Sequence, residues 1–138
     1  MDISMDWQGG LKFAGVSRFG HTLTTDGSKQ AGGTEEGYQP VELLMFSLAG
    51  CTGIDIVLIG KKMRMDIKGL KIKVSYEQRE EHPRAIATAH LEYRITGSKL
   101  DPAQIERAIQ LSEEKYCSVG ATLAGVTKIT HSFSITEG

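Results

Sequence analysis

Two cysteines, Cys51 and Cys117, carry the nucleophilic potential of this chain. Thiol chemistry needs a thiolate, a cation to stabilise it and a path for the reacting molecule. Cys51 sits in "PVELLMFSLAGCTGIDIVLIGKKM", with Asp55 one helical turn further on. Its place is about the twelfth residue of a predicted helix, and a helix end acts only over its own first turn. Activation of Cys51 must therefore come from another element. An unpaired Asp55 would oppose ionisation of the thiol, so a basic partner or a neighbouring backbone to cap is expected for it. A lone cysteine in an apolar helix often serves as a small buried hydrophobe. Two features count against that here. Ala49, Gly50 and Gly53 let a backbone or substrate come close, and a second thiol exists. That second thiol, Cys117, lies in "EEKYCSVGATL". If it opens a helix, free backbone N–H groups would lower its pKa. Local features favour Cys117 as the nucleophile, and the sequence leaves the ranking of the two open.

No other cluster competes. His21, His82, His90 and His131 have no close spacing with one another or with a cysteine, so no metal centre is expected. "GGTEEG" is glycine-rich but acidic, which does not suit a phosphate cradle. There is no C-x-x-C pair of the thioredoxin type. The chain has 138 residues, 24% of them charged, and a net charge of -1, which fits one soluble domain spanning 1–138. So balanced a charge favours neither nucleic acid nor an anionic membrane as a partner. The opening "MDISMDWQGG" carries no apolar signal core, and a cytoplasmic location is the expectation. In that compartment two free cysteines form no structural disulfide framework; they are buried thiols or a redox pair.

The elements that must position these residues read as α+β. "ISMDW", "LKFAGVS" and "HTLTT" are short strands, and "GSKQAGGTEEGYQ" is a polar loop. The apolar run from Leu43 to Ile59 is at the bottom of the membrane-spanning range, roughly 17–25 residues, and holds Asp55, Ser47 and Thr52. Its apolar residues fall on every face, so it is expected to be a helix buried all round in a core. "LKIKVSYEQ" and "AIATAHLEYRIT" alternate as strands, with "REEHPR" as a solvated hairpin tip. In "DPAQIERAIQLSEEKY" an Asp cap and a proline start a helix with an apolar face at Ile105, Ala108, Ile109 and Leu111. A short helix over 117–124 and a final strand, "VTKITHSFSI", complete the chain.

Taken together, "PVELLMFSLAGCTGID", "YEQREEHPR" and "LSEEKYCSVGATL" resemble the OsmC/Ohr family, most closely its YhfA-like branch. The resemblance runs over nearly the whole chain and implies an intertwined homodimer, with a long buried central helix wrapped by antiparallel sheets. It implies a thiol peroxidase acting on organic hydroperoxides. The residue matching the family's reactive cysteine is Cys51, which would form a sulfenic acid. Cys117 matches the second cysteine, which would condense with it to a disulfide. A small dithiol, in some members a lipoyl group, would restore the thiols. Sulfur carries this chemistry, so no metal or organic cofactor is implied.

Active members place an arginine and a glutamate beside the reactive cysteine, and here the pattern shifts. In Ohr the glutamate follows the helix-start proline directly; here that position is Val41, and Glu42 comes one residue late, about 100° around the helix. His21 falls where Ohr has its arginine, and Arg18 stands three residues earlier. Glu42 and Cys51 are about 13–14 Å apart along one helix and on opposite faces, so Glu42 would serve a Cys51 site only from a partner subunit. The alternative on the same fold is a non-catalytic dimer that binds a small molecule or serves in stress.

Overall fold

The computed structural model describes residues 1–138. In order it contains β1 (Ser4–Trp7), β2 (Phe13–Val16), β3 (Thr22–Thr25), a 3-10 turn (Lys29–Ala31) and α1 (Pro40–Lys62). β4 (Asp66–Gln78), β5 (Ile86–Ser98), α2 (Pro102–Leu111), a π turn (Ser112–Tyr116), α3 (Ser118–Leu123) and β6 (Lys128–Glu137) follow. The α+β reading is correct. The chain divides into two compact units, Met1–Leu44 and Met45–Gly138.

In the first unit β1, β2 and β3 form an antiparallel meander. The polar loop after β3 is organised by one buried carboxylate. Asp26 accepts hydrogen bonds from the Thr34 hydroxyl at 2.7 Å and from the backbone N–H groups of Gly27, Thr34 and Glu36. The Thr34 hydroxyl does most to hold this carboxyl below its usual range. The loop closes so tightly that a Cβ at Gly33 would collide with the Gly27 carbonyl.

In the second unit β4, β5 and β6 form a sheet in that order. β4 and β5 are an antiparallel hairpin, with Ile72 opposite Tyr93 and Val74 opposite Leu91. Ala89, Leu91, Tyr93 and Ile95 are all enclosed, on the face that alternation marks out. β6 departs from the expected antiparallel sheets. It runs parallel to β5, with Leu91 opposite His131 and Tyr93 opposite Phe133. The helical segment between them supplies the crossover that a parallel pair requires. Asp101 caps α2 by accepting from the Ala103 N–H at 2.9 Å, and Ile105, Ala108 and Ile109 are buried.

Helix α1 is covered only in part by its own chain. It buries one stripe, Met45, Leu48, Thr52, Ile56 and Ile59, at the three- and four-residue spacing of a helix face. It comes close over β4: a Cβ at Gly60 would stand 2.8 Å from Ile67 Cδ1, and one at Gly53 3.1 Å from Ile72 Cδ1. The opposite face is bare, with Phe46 58%, Ile54 63% and Leu58 53% exposed. A single chain therefore covers only part of a helix whose composition asks to be covered all round. By length and hydropathy alone α1 could also cross a membrane.

Candidate functional site

α1 places Cys51 and Asp55 one turn apart, and the segment after α2 brings Cys117 to them. That segment is a π turn. The Cys117 N–H reaches back five residues to the Ser112 carbonyl at 2.8 Å, a wide turn of the kind frequent at functional sites. It leaves Ser112 facing α1, where its hydroxyl donates to Asp55 Oδ2 at 2.8 Å. The partner of Asp55 is thus a hydroxyl on another element, where a basic group or backbone cap was expected. Asp55 is half-buried, and its hydrogen bond to a second element marks a protein interior.

The Sγ atoms of Cys51 and Cys117 and a carboxylate oxygen of Asp55 lie within 4.8 Å of one another. Both cysteines are free thiols; Cys51 is half-buried and Cys117 only 3% exposed. Two thiols and a carboxylate also form a donor set that a thiophilic cation could use if a fourth ligand joined them.

Cys117 does cap a helix. Its Sγ accepts from the Gly120 N–H at 3.2 Å, at the start of α3. The expected acidification does not follow. Burial comes first, and together with the Cys51 thiol and Asp55 it pushes the Cys117 thiol up to about 11, against the single pull of the Gly120 N–H. Desolvation of a nearly enclosed thiolate costs more than one backbone donor returns. Cys117 is therefore a protonated thiol at neutral pH, and the local preference for it as the nucleophile is reversed.

Arg18 and His21 lie at the exposed tip of the β2–β3 hairpin in the N-terminal unit. The Arg18 guanidinium sits 4.5 Å from the Phe19 ring centroid, and the His21 N–H donates to Ser17 Oγ at 3.1 Å. Glu42 is exposed in the first turn of α1. Asp55 lies with both thiols, Ser112 bonds to it, Thr52 and Glu113 share a cleft with Cys117, and Tyr93 is close to Cys117 and Asp55. Of these only Asp55 carries a sequence signal, its helical spacing from Cys51. Glu113 Oε1 is 2.8 Å from His131 Nδ1, and His131 Nε2 is 3.0 Å from Glu106 Oε1.

The Tyr93 hydroxyl is enclosed and makes no hydrogen bond. The Thr52 hydroxyl beside it donates to the Ala49 carbonyl instead. Burial pushes the Tyr93 phenol up to about 12, and Glu113, Cys117 and Asp55 add to the rise; the Thr52 hydroxyl is near enough to pull it back in part, but its proton is committed to the Ala49 carbonyl. An enclosed hydroxyl without a partner costs about 1–3 kcal/mol. Tyr93→Phe should therefore raise the unfolding free energy by about 1 kcal/mol in urea titrations. A loss of that size would mean that the hydroxyl is bonded in solution.

An α+β unit that sets a thiol on a long apolar helix beside a second thiol from the segment after α2 defines a class. Residues 33–132 match the OsmC-like protein family, and the chain belongs to it. It is similar to protein YhfA of Escherichia coli strain K12, with 36% identity over 98% of each chain. Among solved structures it is similar to a hypothetical protein of Aquifex aeolicus, at 28% identity and a TM-score of 0.87, covering 99% of this chain and 96% of that one. The organic hydroperoxide resistance protein OhrB of Bacillus subtilis shares the fold, with a TM-score of 0.65 at 17% identity over 96% of each chain.

Proposed function

We propose that this protein is a thiol-dependent peroxidase that reduces organic hydroperoxides in the cytoplasm as part of a stress response. The observation that carries the reading is the adjacency of two free thiols, one half-open and one enclosed. In the proposed cycle the Cys51 thiolate attacks the peroxide oxygen. The O–O bond breaks, an alcohol leaves, and Cys51 becomes a sulfenic acid. The Cys117 thiol then condenses with it, forming the Cys51–Cys117 disulfide and releasing water. A dithiol reductant returns both to thiols.

Asp55 and Cys117, the neighbours of Cys51 within its own unit, are not basic, so ionising it calls for a cation from elsewhere. We assign that role to Arg18 or His21 of the N-terminal hairpin, and a supporting role to Glu42 of a partner subunit. The bare face of α1, with Leu70 and Ile72 beside it, supports a homodimer.

The test is peroxide consumption with cumene hydroperoxide and a lipoyl dithiol. Wild type should turn over repeatedly, with sulfenate trapped at Cys51 by a dimedone-type reagent. Cys51→Ser should fall to the uncatalysed rate. Arg18→Ala or His21→Ala should slow the first step. No peroxide loss and no trapped sulfenate would turn the reading to a non-catalytic small-molecule binder.

A further inference from the structure

A cleft of about 230 Å³ opens beside Cys117 within the second unit. Leu48 and Thr52 of α1, Leu91 of β5, Glu113, Gly120 and Cys117 itself form its walls. Cys51 is not among its lining residues, and neither is any lysine, arginine or histidine. Gly120 leaves room beside the enclosed sulfur: a Cβ there would stand 3.4 Å from Cys117 Sγ and 3.8 Å from Leu48 Cδ1. The cleft thus leads to the second thiol, the one with no part in the attack on peroxide.

Resting on the disulfide of the proposed cycle, we propose that this cleft receives the reductant, a small uncharged or cationic thiol or dithiol that attacks Cys117 Sγ. The incoming sulfur bonds to Cys117 and the Cys51–Cys117 bond breaks, so Cys51 leaves as a thiolate. The second thiolate of the dithiol then attacks the reductant's own sulfur in the mixed disulfide. Cys117 is released and takes up a proton, and the reductant departs as a cyclic disulfide carrying the two electrons' worth of oxidation. With a monothiol, a second molecule makes that last attack.

The direction of attack has independent support. In exchange, the sulfur that leaves is the one whose thiol is more acidic. Cys117 is a poor leaving group, because burial pushes its thiol up to about 11. Attack at its sulfur spares it that role in the first step and leaves it only for the last, where a dithiol's second sulfur attacks from within the mixed disulfide.

The charge preference comes from Glu113. Its carboxylate bonds to His131, which also bonds to Glu106. Two carboxylates share one imidazole, so with both ionised the trio keeps a net negative charge whichever form the ring takes. A like charge arriving within a few ångströms of this wall is disfavoured by about tenfold or more in rate.

The test starts from protein oxidised with diamide to its intramolecular disulfide, without peroxide. Rates of reduction by cysteamine, 2-mercaptoethanol and 2-mercaptoethanesulfonate are each divided by that thiol's rate with hydroxyethyl disulfide. The normalised sulfonate rate should be about tenfold below the neutral one, and Glu113→Gln should narrow the gap. Gly120→Ala should slow all three severalfold. In wild type, quenching with an alkylating agent during reduction should trap the mixed disulfide on Cys117 by peptide mass spectrometry. A mixed disulfide on Cys51, or equal normalised rates, overturns the proposal while leaving the peroxidase cycle standing. Failure of diamide to form the intramolecular disulfide overturns both.

Discussion

Replacing Cys117 by serine is expected to separate the two halves of the proposed cycle. The first half needs only Cys51, so one equivalent of hydroperoxide should be consumed per chain, at a rate within severalfold of wild type. The sulfenic acid then has no thiol beside it. In wild type that thiol stands within 4.8 Å, already oriented by its bond to the Gly120 N–H and by the π turn. Held so close, a reacting group commonly has an effective molarity of about 10⁵ M or more. A dithiol from solution at millimolar concentration cannot match that, and steady-state turnover should fall by at least about a hundredfold. Rapid-mixing peroxide loss together with intact-mass detection of the sulfenate checks both halves. Unchanged steady-state turnover would mean that the reductant attacks the Cys51 sulfenate directly and that Cys117 is a bystander.

The second large effect concerns the bare face of α1. Ile54 stands at its centre and is 63% exposed, between Phe46 and Leu58. Ala49, Gly50 and Gly53 form a floor of small residues along the same face, with Leu70 and Ile72 of β4 at its side. Side chains this short let a second helix come close, and a groove this apolar is disfavoured in water. The wild-type protein is expected to be a dimer burying well over about 2,000 Å² in total, the range of obligate interfaces. Ile54→Asp places a carboxylate in that contact, and a two-fold axis brings its mate from the other chain as well. An unpaired charge enclosed in this way costs about 3–5 kcal/mol. Light scattering at micromolar concentration should then report monomer or disordered aggregate in place of dimer. A monomeric wild type, or an Ile54→Asp protein that stays dimeric, would remove this face as the interface. Partition of wild type onto phospholipid vesicles would assign the face to a bilayer instead.

Much of the frame could be read from residue spacing because the signals are local. Asp101 and Pro102 announce the start of α2, and the cap forms as those two residues require. Alternation through Leu91, Tyr93 and Ile95 identifies the enclosed face of β5. Alternation says which side of a strand is covered and nothing about its neighbour, so the parallel pairing of β6 was not legible. The same limit explains Cys117. Its place at a helix start is a local property, whereas the burial that outweighs it belongs to the folded core. Ser112 escaped notice because its bond to Asp55 joins positions far apart in the chain. Arg18, His21 and Glu42 rest on family resemblance alone; at each of them the local sequence explains only an exposed polar residue.

The π turn absorbs one residue more before Cys117 than an α turn would. Ser112 to Tyr116 is wound one residue wider than an α-helix. Deleting a single exposed residue there, such as Lys115, would remove no group that touches the thiols. It would return the segment to ordinary winding. Because five residues of π turn and four of α-helix turn through nearly the same angle, what lies beyond would swing far less than about 100°, the swing that a residue lost from a uniform helix gives. Cys117 would then bond back four residues to Ser112 and keep close to its direction toward Cys51. The spelling of this site therefore tolerates a change of count, and a relative one residue shorter in this stretch can keep the pair by trading the π turn for an α turn.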